Sequence, residues 1–168
     1  MAVVKELPSH YRTGIGFDAH LFGPQRKLIL GGVEIPYSQG LAGHSDGDVL
    51  LHAITDALLG ALGLPDIGSQ FPDSDSEYLN ADSASLLRKI GKRVQTAGYH
   101  IANLDCIVVC DEPKLAPHAT AIRSRIAGIL GIETSRVGIK AKTTEGTFMA
   151  IPGKSITAFA TVLLHQSQ

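Results

Sequence analysis

The hydrophobic and polar positions of this chain follow two different periods, and the changes of period delimit regular elements. Residues 12–20 alternate loosely, and two short apolar runs in 27–36 flank Gly31-Gly32, which is typical of a β-hairpin. Apolar residues recur at helical spacing in 46–62, whereas turn residues crowd 65–76, which we expect to form a mobile loop. The remaining pattern predicts helices over 82–98 and 117–131 and strands over 100–111, 137–144 and 155–165.

This order of elements predicts a single α+β domain. We expect a mixed or antiparallel sheet of about four main strands, with helices layered on one face. The predicted strands are rich in Leu, Ile, Val and Ala, so the uncovered face of the sheet would expose a large apolar surface. Cyclic self-association would bury that face.

Composition and charge narrow the classes of partner. The chain has 168 residues, of which 44% are hydrophobic, and this is enough for one compact core. The formal net charge of −1 is unevenly distributed, because residues 28–87 contain no Lys or Arg. Such an acidic segment repels nucleic-acid backbones, so we expect no nucleic-acid partner. If the protein binds phosphate groups, metal ions and backbone N–H groups must supply most of the positive charge.

The sequence also predicts the cellular compartment of the protein. No apolar run approaches the roughly 20 residues of a membrane helix, and the first ten residues lack the layout of a signal peptide. We therefore expect a soluble, cytoplasmic protein with no membrane partner. Cys106 and Cys110 lie in an apolar run without the spacing of a zinc site, which predicts buried free thiols.

Three residues offer the ligand set of a catalytic zinc site. Asp18 and His20 are two apart in a predicted strand and so lie on the same side of it, and His52 can reach them from the adjoining helix. Each histidine alone is more typical of a structural residue, but together the three leave a fourth tetrahedral position open for water or substrate oxygen. Asp48 and Asp56 lie four residues to either side of His52, and we expect them to accept a hydrogen bond from its other ring nitrogen.

Two further segments have weaker signals for phosphate binding. His44, Ser45 and Asp46 lie where the first long helix begins, and free N–H groups there favour an anion. Helix capping by Ser45 or Asp46 is the structural alternative. Thr143 and Glu145 end a predicted strand and offer a hydroxyl for a diphosphate and a carboxylate for a hard divalent cation.

Other common catalytic signatures are missing from the sequence. It contains no P-loop, no nucleophile elbow and no dinucleotide fingerprint, and Gly14-Ile15-Gly16 is too short to count as one. Kinases, serine hydrolases and Rossmann dehydrogenases therefore lose their usual support. The segment 111–117 reads as a turn whose backbone can contact a flat base edge.

A series of short motifs runs from about residue 12 to the C-terminus. They are Gly16-Phe17-Asp18-Ala19-His20, the segment 43–60 that opens with Gly43-His44-Ser45-Asp46-Gly47-Asp48, Asp66-Ile67-Gly68, Phe71-Pro72-Asp73, Pro113-Lys114 and Thr143-Thr144-Glu145. In sequence and in order they resemble the motifs of the 2-C-methyl-D-erythritol 2,4-cyclodiphosphate synthase family. A match over so much of the chain is poorly explained by chance.

The resemblance implies an activity and an assembly. The enzymes of this family are homotrimers with active sites between subunits, and they act in the non-mevalonate route to isoprenoid precursors. They convert 4-diphosphocytidyl-2-C-methyl-D-erythritol 2-phosphate into a cyclic diphosphate and CMP. By resemblance, Asp18, His20 and His52 would hold Zn²⁺, and Glu145 would hold Mg²⁺ or Mn²⁺.

The resemblance also implies catalytic and substrate-binding residues. His44 and Thr143 would position the phosphates and stabilise the transition state. The implied substrate contacts are Asp18, Ala19, His20, His44 and Ser45; Asp66, Ile67 and Gly68 at substrate hydroxyls; Phe71, Pro72, Asp73, Ser74 and Asp75 in a flexible lid; Cys110, Asp111, Glu112, Pro113, Lys114, Leu115 and Ala116 in a cytidine pocket; and Lys142, Thr143, Thr144 and Glu145 along the diphosphate.

One loop departs from the family pattern. Relatives usually read Gly-Leu-Gly-Phe-Thr-Gly-Arg-Gly-Glu-Gly after the Thr-Thr-Glu motif, whereas Met149, Pro152 and Lys154 stand here at the aromatic, Arg and Glu positions. Replacing Arg by Pro removes a bidentate phosphate donor, so the resemblance gives no support for isoprenoid diphosphate binding at the trimer axis. Residues 1–10 lie outside the resemblance, and we expect a disordered extension before a single domain over 11–168.

Two alternative functions are compatible with the same residues. The first is a metal-dependent phosphohydrolase that uses a zinc-bound hydroxide on a nucleotide diphosphate. The second is a non-catalytic trimer that binds cytidine nucleotides. The alternatives differ in their products, because only the cyclising lyase releases CMP together with a cyclic diphosphate.

Overall fold

The computed structural model describes residues 11–24, 26–43, 45–72, 81–147, 151 and 153–166. The strands are β1 (Tyr11–Gly23), β2 (Leu28–Leu30), β3 (Val33–Ile35), β4 (Gly40–Leu41), β5 (Tyr99–Val109), β6 (Val137–Lys142) and β7 (Ser155–Gln166). The helices are α1 (Val49–Ala61), α2 (Ile67–Gln70), α3 (Ser83–Thr96) and α4 (Ala119–Leu130), with 3₁₀ turns at Ala116–His118 and Thr134–Arg136. Within the described ranges, no helix has the length and apolar character needed to cross a membrane.

The main sheet confirms the α+β prediction and corrects its strand count. Five strands lie in the order β4-β1-β7-β5-β6, so the sheet has one strand more than the four expected. The additional strand is β4, whose two residues pair with the end of β1 and are too few to leave a periodic pattern in the sequence. The sheet is mixed, because β5 and β6 pair in parallel and the other neighbours are antiparallel.

The predicted hairpin is confirmed as a separate two-stranded sheet of β2 and β3. Its turn residues Gly31 and Gly32 have φ values of +61° and +71°, which side chains with a Cβ rarely adopt. The loop predicted over 65–76 is wrong in part, because α2 forms a helical turn within it. Asp66 caps that turn by accepting a hydrogen bond from Ser69 N–H at 2.9 Å.

The two faces of the sheet have different environments. On the central strand β7, alternate residues are at most 3% exposed and belong to the core shared with α1, α3 and α4: Ile156, Ala158, Ala160, Val162 and Leu164. On the opposite face, β1 presents large apolar side chains that are 54–71% exposed in the described chain: Tyr11, Ile15, Phe17 and Leu21. The helices therefore cover one face, as predicted, and the other face is apolar and open.

Two glycines allow α1 to lie directly on β1. A Cβ built on Gly14 would lie 1.9 Å from the Ala57 carbonyl oxygen, and one built on Gly16 would lie 1.9 Å from that of Ala53. Any side chain at these positions would push the helix away from the strand. Because α1 carries His52 and β1 carries Asp18, this close approach sets the distance between the two parts of the candidate site.

Replacing Gly16 by Ala should destabilise the protein by about 3 kcal/mol or more, because the new methyl group overlaps helix backbone that cannot rotate away. The matched control is Gly128→Ala in α4, where no atom lies within 4 Å of the added Cβ. We expect the control to stabilise the fold by about 0.5–1 kcal/mol, since Ala is the better helix former. Urea unfolding of both variants measures the difference, and equal stabilities would contradict the close-approach argument.

Candidate metal centre and active site

The structure brings Asp18, His20 and His52 together, as the sequence predicts. Asp18 Oδ2 lies 2.8 Å from His20 Nε2 and 2.9 Å from His52 Nδ1. One ligand atom from each residue lies within 4.8 Å of the others, and in the described part of the chain this is the one group of its kind. A carboxylate oxygen and two imidazole nitrogens at these separations fit the ligand chemistry of zinc.

Hydrogen bonds shift the pKa values of Asp18 and His20. Burial alone would raise the pKa of Asp18, but the hydrogen bonds with His20 and His52 outweigh it and hold that pKa well below its ordinary value. The bond with Asp18 raises the pKa of His20 above its ordinary value, although burial opposes this shift. Asp18 is therefore an anion at neutral pH, as a metal ligand must be.

The outer nitrogen of His20 is held by the backbone. His20 Nδ1 donates a hydrogen bond to the Ala42 carbonyl oxygen, which can only accept. Nδ1 therefore carries a proton. Nε2 donates to the Asp18 carboxylate, and a bound metal would take the place of that Nε2 proton. This arrangement orients the ring as a metal ligand through Nε2.

The predicted partners of the outer nitrogen of His52 are wrong. His52 Nε2 contacts the hydroxyl oxygens of Ser45 and Ser83, each at 3.0 Å, rather than the carboxylates of Asp48 or Asp56. Asp48 precedes the first helical residue and is the N-cap of α1, so its side chain turns back over the helix end instead of lining the helix face.

Asp48 is fully buried and has a structural role. Its carboxylate accepts hydrogen bonds from the N–H groups of Gly31, Gly32 and Leu51, at 2.9, 2.6 and 3.1 Å. It thereby joins the β2–β3 turn to the start of α1. Burial raises the pKa of Asp48, and its three backbone hydrogen bonds oppose that shift. The predicted capping of α1 by Ser45 or Asp46 is wrong, because Asp48 occupies that position.

Asp56 also acts through the backbone. Its Oδ1 accepts a hydrogen bond from Ile67 N–H at 2.7 Å and so fixes the start of α2 beside α1. Burial raises the pKa of Asp56. The contact positions α2 along one wall of the pocket that contains the triad.

A cavity of about 240 Å³ opens beside the triad. It is lined by Asp18, His20, Gly43, Ser45, His52, Asp56, Ile67, Gly68, Phe71 and Leu86. Six of the predicted substrate contacts therefore share one pocket: Asp18, His20, Ser45, Ile67, Gly68 and Phe71. Of the neighbouring predicted contacts, Ala19 follows Asp18 on the strand, and Asp66 caps α2 with an exposed carboxylate.

The other predicted contacts form a second cluster at the end of the β5–β6 pair. Cys110 N–H donates to the Lys142 carbonyl oxygen at 2.9 Å. The Asp111 carboxylate accepts from the Thr144 N–H at 2.8 Å and from its hydroxyl at 2.9 Å. These bonds join the loop 110–116 to the loop 142–145. The joined loops lie beyond the carboxyl ends of two parallel strands, which is a common location for ligand sites in parallel sheets.

Within this second cluster, Thr143 and Glu145 contact each other. The Thr143 hydroxyl donates to Glu145 Oε1, and both side chains are exposed. Glu145 has a φ of +47°, a left-handed conformation that is uncommon for a residue with a side chain. Leu115 is buried at the base of the neighbouring loop, and Cys110 is a buried free thiol, as is Cys106. Burial raises the thiol pKa of Cys106 to about 12 and that of Cys110 to about 11.

The two clusters are separated within one chain. Val108 on β5 lies level with Asp18 on β1, with β7 between them. The next residue of β5, Val109, pairs with Lys142 on β6. Three strand spacings of about 4.8 Å place Lys142 roughly 14 Å from Asp18. Both clusters lie at the same end of the sheet.

Some predictions fall on residues outside the described ranges. His44, Asp73, Ser74 and Asp75 are among them, and so are Met149 and Pro152 of the loop that departs from the family pattern. The backbone on either side of residue 44 is described, and Arg26 donates to the carbonyl oxygens of Gly43, at 2.7 Å, and Ser45.

Two residues that support the site, Arg26 and Ser83, were not predicted from the sequence. Each is a polar side chain in a segment without a chemical motif of its own. Only the folded chain places Arg26 against the loop at 43–45 and Ser83 against His52. A Ser that directly follows the N-cap Asp82 is typical of an ordinary helix start, so the sequence alone has no signal for its second role.

Comparison with known proteins agrees with this geometry. The YgbB family model matches residues 11–165. The 2-C-methyl-D-erythritol 2,4-cyclodiphosphate synthase of Moorella thermoacetica is 54% identical over 91% of this chain and 94% of its own length. A solved structure of a synthase of the same name, in a form bound to CDP, aligns with a TM-score of 0.84 at 38% identity, over 91% of this chain and 99% of that one.

A larger protein contains the same fold as one part. The bifunctional IspDF from Campylobacter jejuni aligns with a TM-score of 0.89 at 40% identity, over 94% of this chain. The present chain spans 43% of that protein. The family model and the identity to curated relatives over nine-tenths of the chain agree with the motifs and with the metal-ligand triad. The chain therefore belongs to the YgbB family, within its group of 2-C-methyl-D-erythritol 2,4-cyclodiphosphate synthases.

Proposed function

We propose that this chain is a zinc-dependent phosphorus-oxygen lyase that forms 2-C-methyl-D-erythritol 2,4-cyclodiphosphate. Its substrate is 4-diphosphocytidyl-2-C-methyl-D-erythritol 2-phosphate. An oxygen of the 2-phosphate attacks the β-phosphorus, the bond from that phosphorus to the oxygen bridging to the α-phosphate breaks, and CMP leaves with that oxygen. The observation that carries the proposal is the triad of Asp18, His20 and His52 at the wall of an open pocket.

The residues of the triad have distinct tasks in this reaction. Asp18 Oδ2, His20 Nε2 and His52 Nδ1 are the atoms that would hold the metal, since these atoms face one another. When bound, zinc supplies a Lewis acid that withdraws charge from a phosphate oxygen. Ile67, Gly68 and Phe71 would bind the methylerythritol end, because they line the same cavity. His44 would stabilise the transition state from the loop whose flanking carbonyl oxygens Arg26 holds.

The second cluster would bind the nucleotide end. The loops 110–116 and 142–145 are joined by the bonds to Asp111, and together they would hold cytidine and the diphosphate. Glu145 would hold Mg²⁺ or Mn²⁺, which would neutralise charge on the diphosphate. The Thr143 hydroxyl, which contacts the Glu145 carboxylate, would donate to a phosphate oxygen. The CDP named with one matching structure supports a cytidine ligand for this chain.

The sites would be completed in a homotrimer. The cavity beside the triad, at about 240 Å³, is smaller than the roughly 300–1,000 Å³ of pockets that enclose whole organic ligands. The open face with Ile15 and Phe17 is an apolar surface that a closed ring would cover. Neighbouring subunits would then bring the second cluster of one chain to the triad of another. A cytoplasmic location remains a prediction from the sequence.

Phosphorus-31 NMR tests the proposed reaction. Purified protein is incubated with the proposed substrate, Zn²⁺ and Mg²⁺, and we expect signals of a cyclic diphosphate and of CMP in equal amounts. Linear hydrolysis products would contradict the lyase and support the phosphohydrolase. Substrate that binds without turnover would support the cytidine-binding alternative.

A further inference from the structure

The outer edge of the His52 ring faces a short chain of polar groups that the proposed reaction does not use. His52 Nε2 lies 3.0 Å from Ser83 Oγ, and the Ser83 hydroxyl donates to Asp46 Oδ1. The Ser83 N–H also donates to Asp46 Oδ2, at 3.1 Å. Ser83 is 1% exposed, so solvent does not compete strongly for these bonds.

The direction of each hydrogen bond follows from the donors available. Asp46 Oδ1 accepts from Asp48 N–H at 3.2 Å and from the Ser83 hydroxyl, and Asp46 Oδ2 accepts from Ser83 N–H, so both oxygens act as acceptors. The single proton of the Ser83 hydroxyl is therefore directed at Asp46. The Ser83 oxygen has only lone pairs left for His52, so His52 Nε2 must be the donor.

Ser45 is a weaker candidate for the same task. Its hydroxyl oxygen also lies 3.0 Å from His52 Nε2, and it accepts from Gly47 N–H at 3.2 Å. Neither contact fixes the direction of the Ser45 hydroxyl proton, so this hydroxyl can either donate to Nε2 or accept from it. Only Ser83, whose proton goes to Asp46, is restricted to accepting from Nε2.

We propose that Asp46 and Ser83 are positioning residues: the Ser83 oxygen, which Asp46 keeps as an acceptor, binds the Nε2–H of His52 and so keeps Nδ1 directed at the metal position. This inference rests on the metal site of the proposed function. Without the Ser83 hydroxyl, Nε2 keeps only the contact with Ser45, whose own proton can point either way. The ring then loses a contact that fixes its orientation, and Nδ1 is held less firmly at the metal position.

Zinc affinity is the first test, with Ser83→Ala compared to Ser85→Ala. Ser85 lies in the same first turn of α3, and its hydroxyl donates to Asp82 Oδ2 at 2.9 Å, so its loss reproduces the cost of a missing hydroxyl at the helix start. In a competition titration with a chromophoric chelator, we expect Ser83→Ala to bind Zn²⁺ about 10–100-fold more weakly than the wild type. The Ser85→Ala variant should bind Zn²⁺ as the wild type does.

The Nε2 proton of His52 is the second test. Nitrogen-15 NMR of histidine-labelled protein saturated with zinc follows the exchange of this proton with water, which a hydrogen bond to a buried hydroxyl slows. We expect slow exchange in the wild type and in Ser85→Ala, and faster exchange in Ser83→Ala. A Ser83→Ala protein with the exchange rate of the wild type, or with the zinc affinity of Ser85→Ala, would overturn the inference. A wild type that binds no zinc would instead overturn the proposed metal site.

Discussion

Replacing His52 by Ala should abolish stoichiometric zinc binding and slow formation of the cyclic diphosphate by about 10³-fold or more. The imidazole is one of three ligands, and its Nδ1 lies 2.9 Å from Asp18 Oδ2. A Lewis acid contributes several kcal/mol to stabilising charge in the transition state, and each 1.4 kcal/mol is a factor of ten in rate. Zinc content by elemental analysis and turnover by phosphorus-31 NMR measure the two effects separately.

The control for this variant is His100→Ala. His100 lies at the start of β5, at the opposite end of the sheet from the triad, and its described contact is the ring of His165 at 5.4 Å. Loss of this ring should leave zinc content and turnover unchanged. An His52→Ala protein that keeps one zinc ion per chain, or that turns over within tenfold of the wild type, would contradict the assignment of the triad.

The metal triad was predictable because its signal lies in the residue types and in short spacings. Asp18 and His20 are two apart on a strand, and a strand places such residues on one side. His52 was harder to place, since its distance from Asp18 depends on how closely α1 packs on β1. Gly14 and Gly16 set that distance, but in sequence they resemble only a fragment of a nucleotide-binding motif.

The supporting contacts were not predictable for a physical reason. Helical periodicity placed Asp48 and Asp56 on the face of His52, but the N-cap residue has non-helical backbone angles, so Asp48 leaves that face. Asp56 does lie on that face, but its carboxylate accepts a hydrogen bond from the backbone of α2. The residue that contacts His52 instead, Ser83, is 31 positions away in sequence, and only tertiary packing brings it to the ring.

The open sheet face provides the second large effect, and Ile15→Asp is the variant that tests it. Ile15 is 71% exposed on β1, on the face opposite α1, so Asp should be tolerated in an isolated chain. In the proposed trimer each subunit would bury one such carboxylate without a partner, at a cost of several kcal/mol per charge. Sedimentation velocity should show a trimer for the wild type and a monomer for Ile15→Asp.

The matched control for assembly is Ala121→Asp, which adds the same charge at an exposed position of α4 in the helix layer. This variant should sediment as the wild type does. A wild-type protein that is monomeric, or an Ile15→Asp protein that remains trimeric and active, would contradict the proposed assembly.

The metal content of Ile15→Asp then separates loss of assembly from damage to the site. All three triad residues belong to one chain, and Ile15 points to the other face of the sheet, so the monomer should still bind one zinc ion. Its turnover should nevertheless fall to background, because Lys142, where the loop 142–145 begins, lies roughly 14 Å from Asp18 within a chain. A zinc-loaded but inactive monomer would mean that one chain suffices to hold the metal, whereas catalysis requires the nucleotide-binding loops of a neighbour.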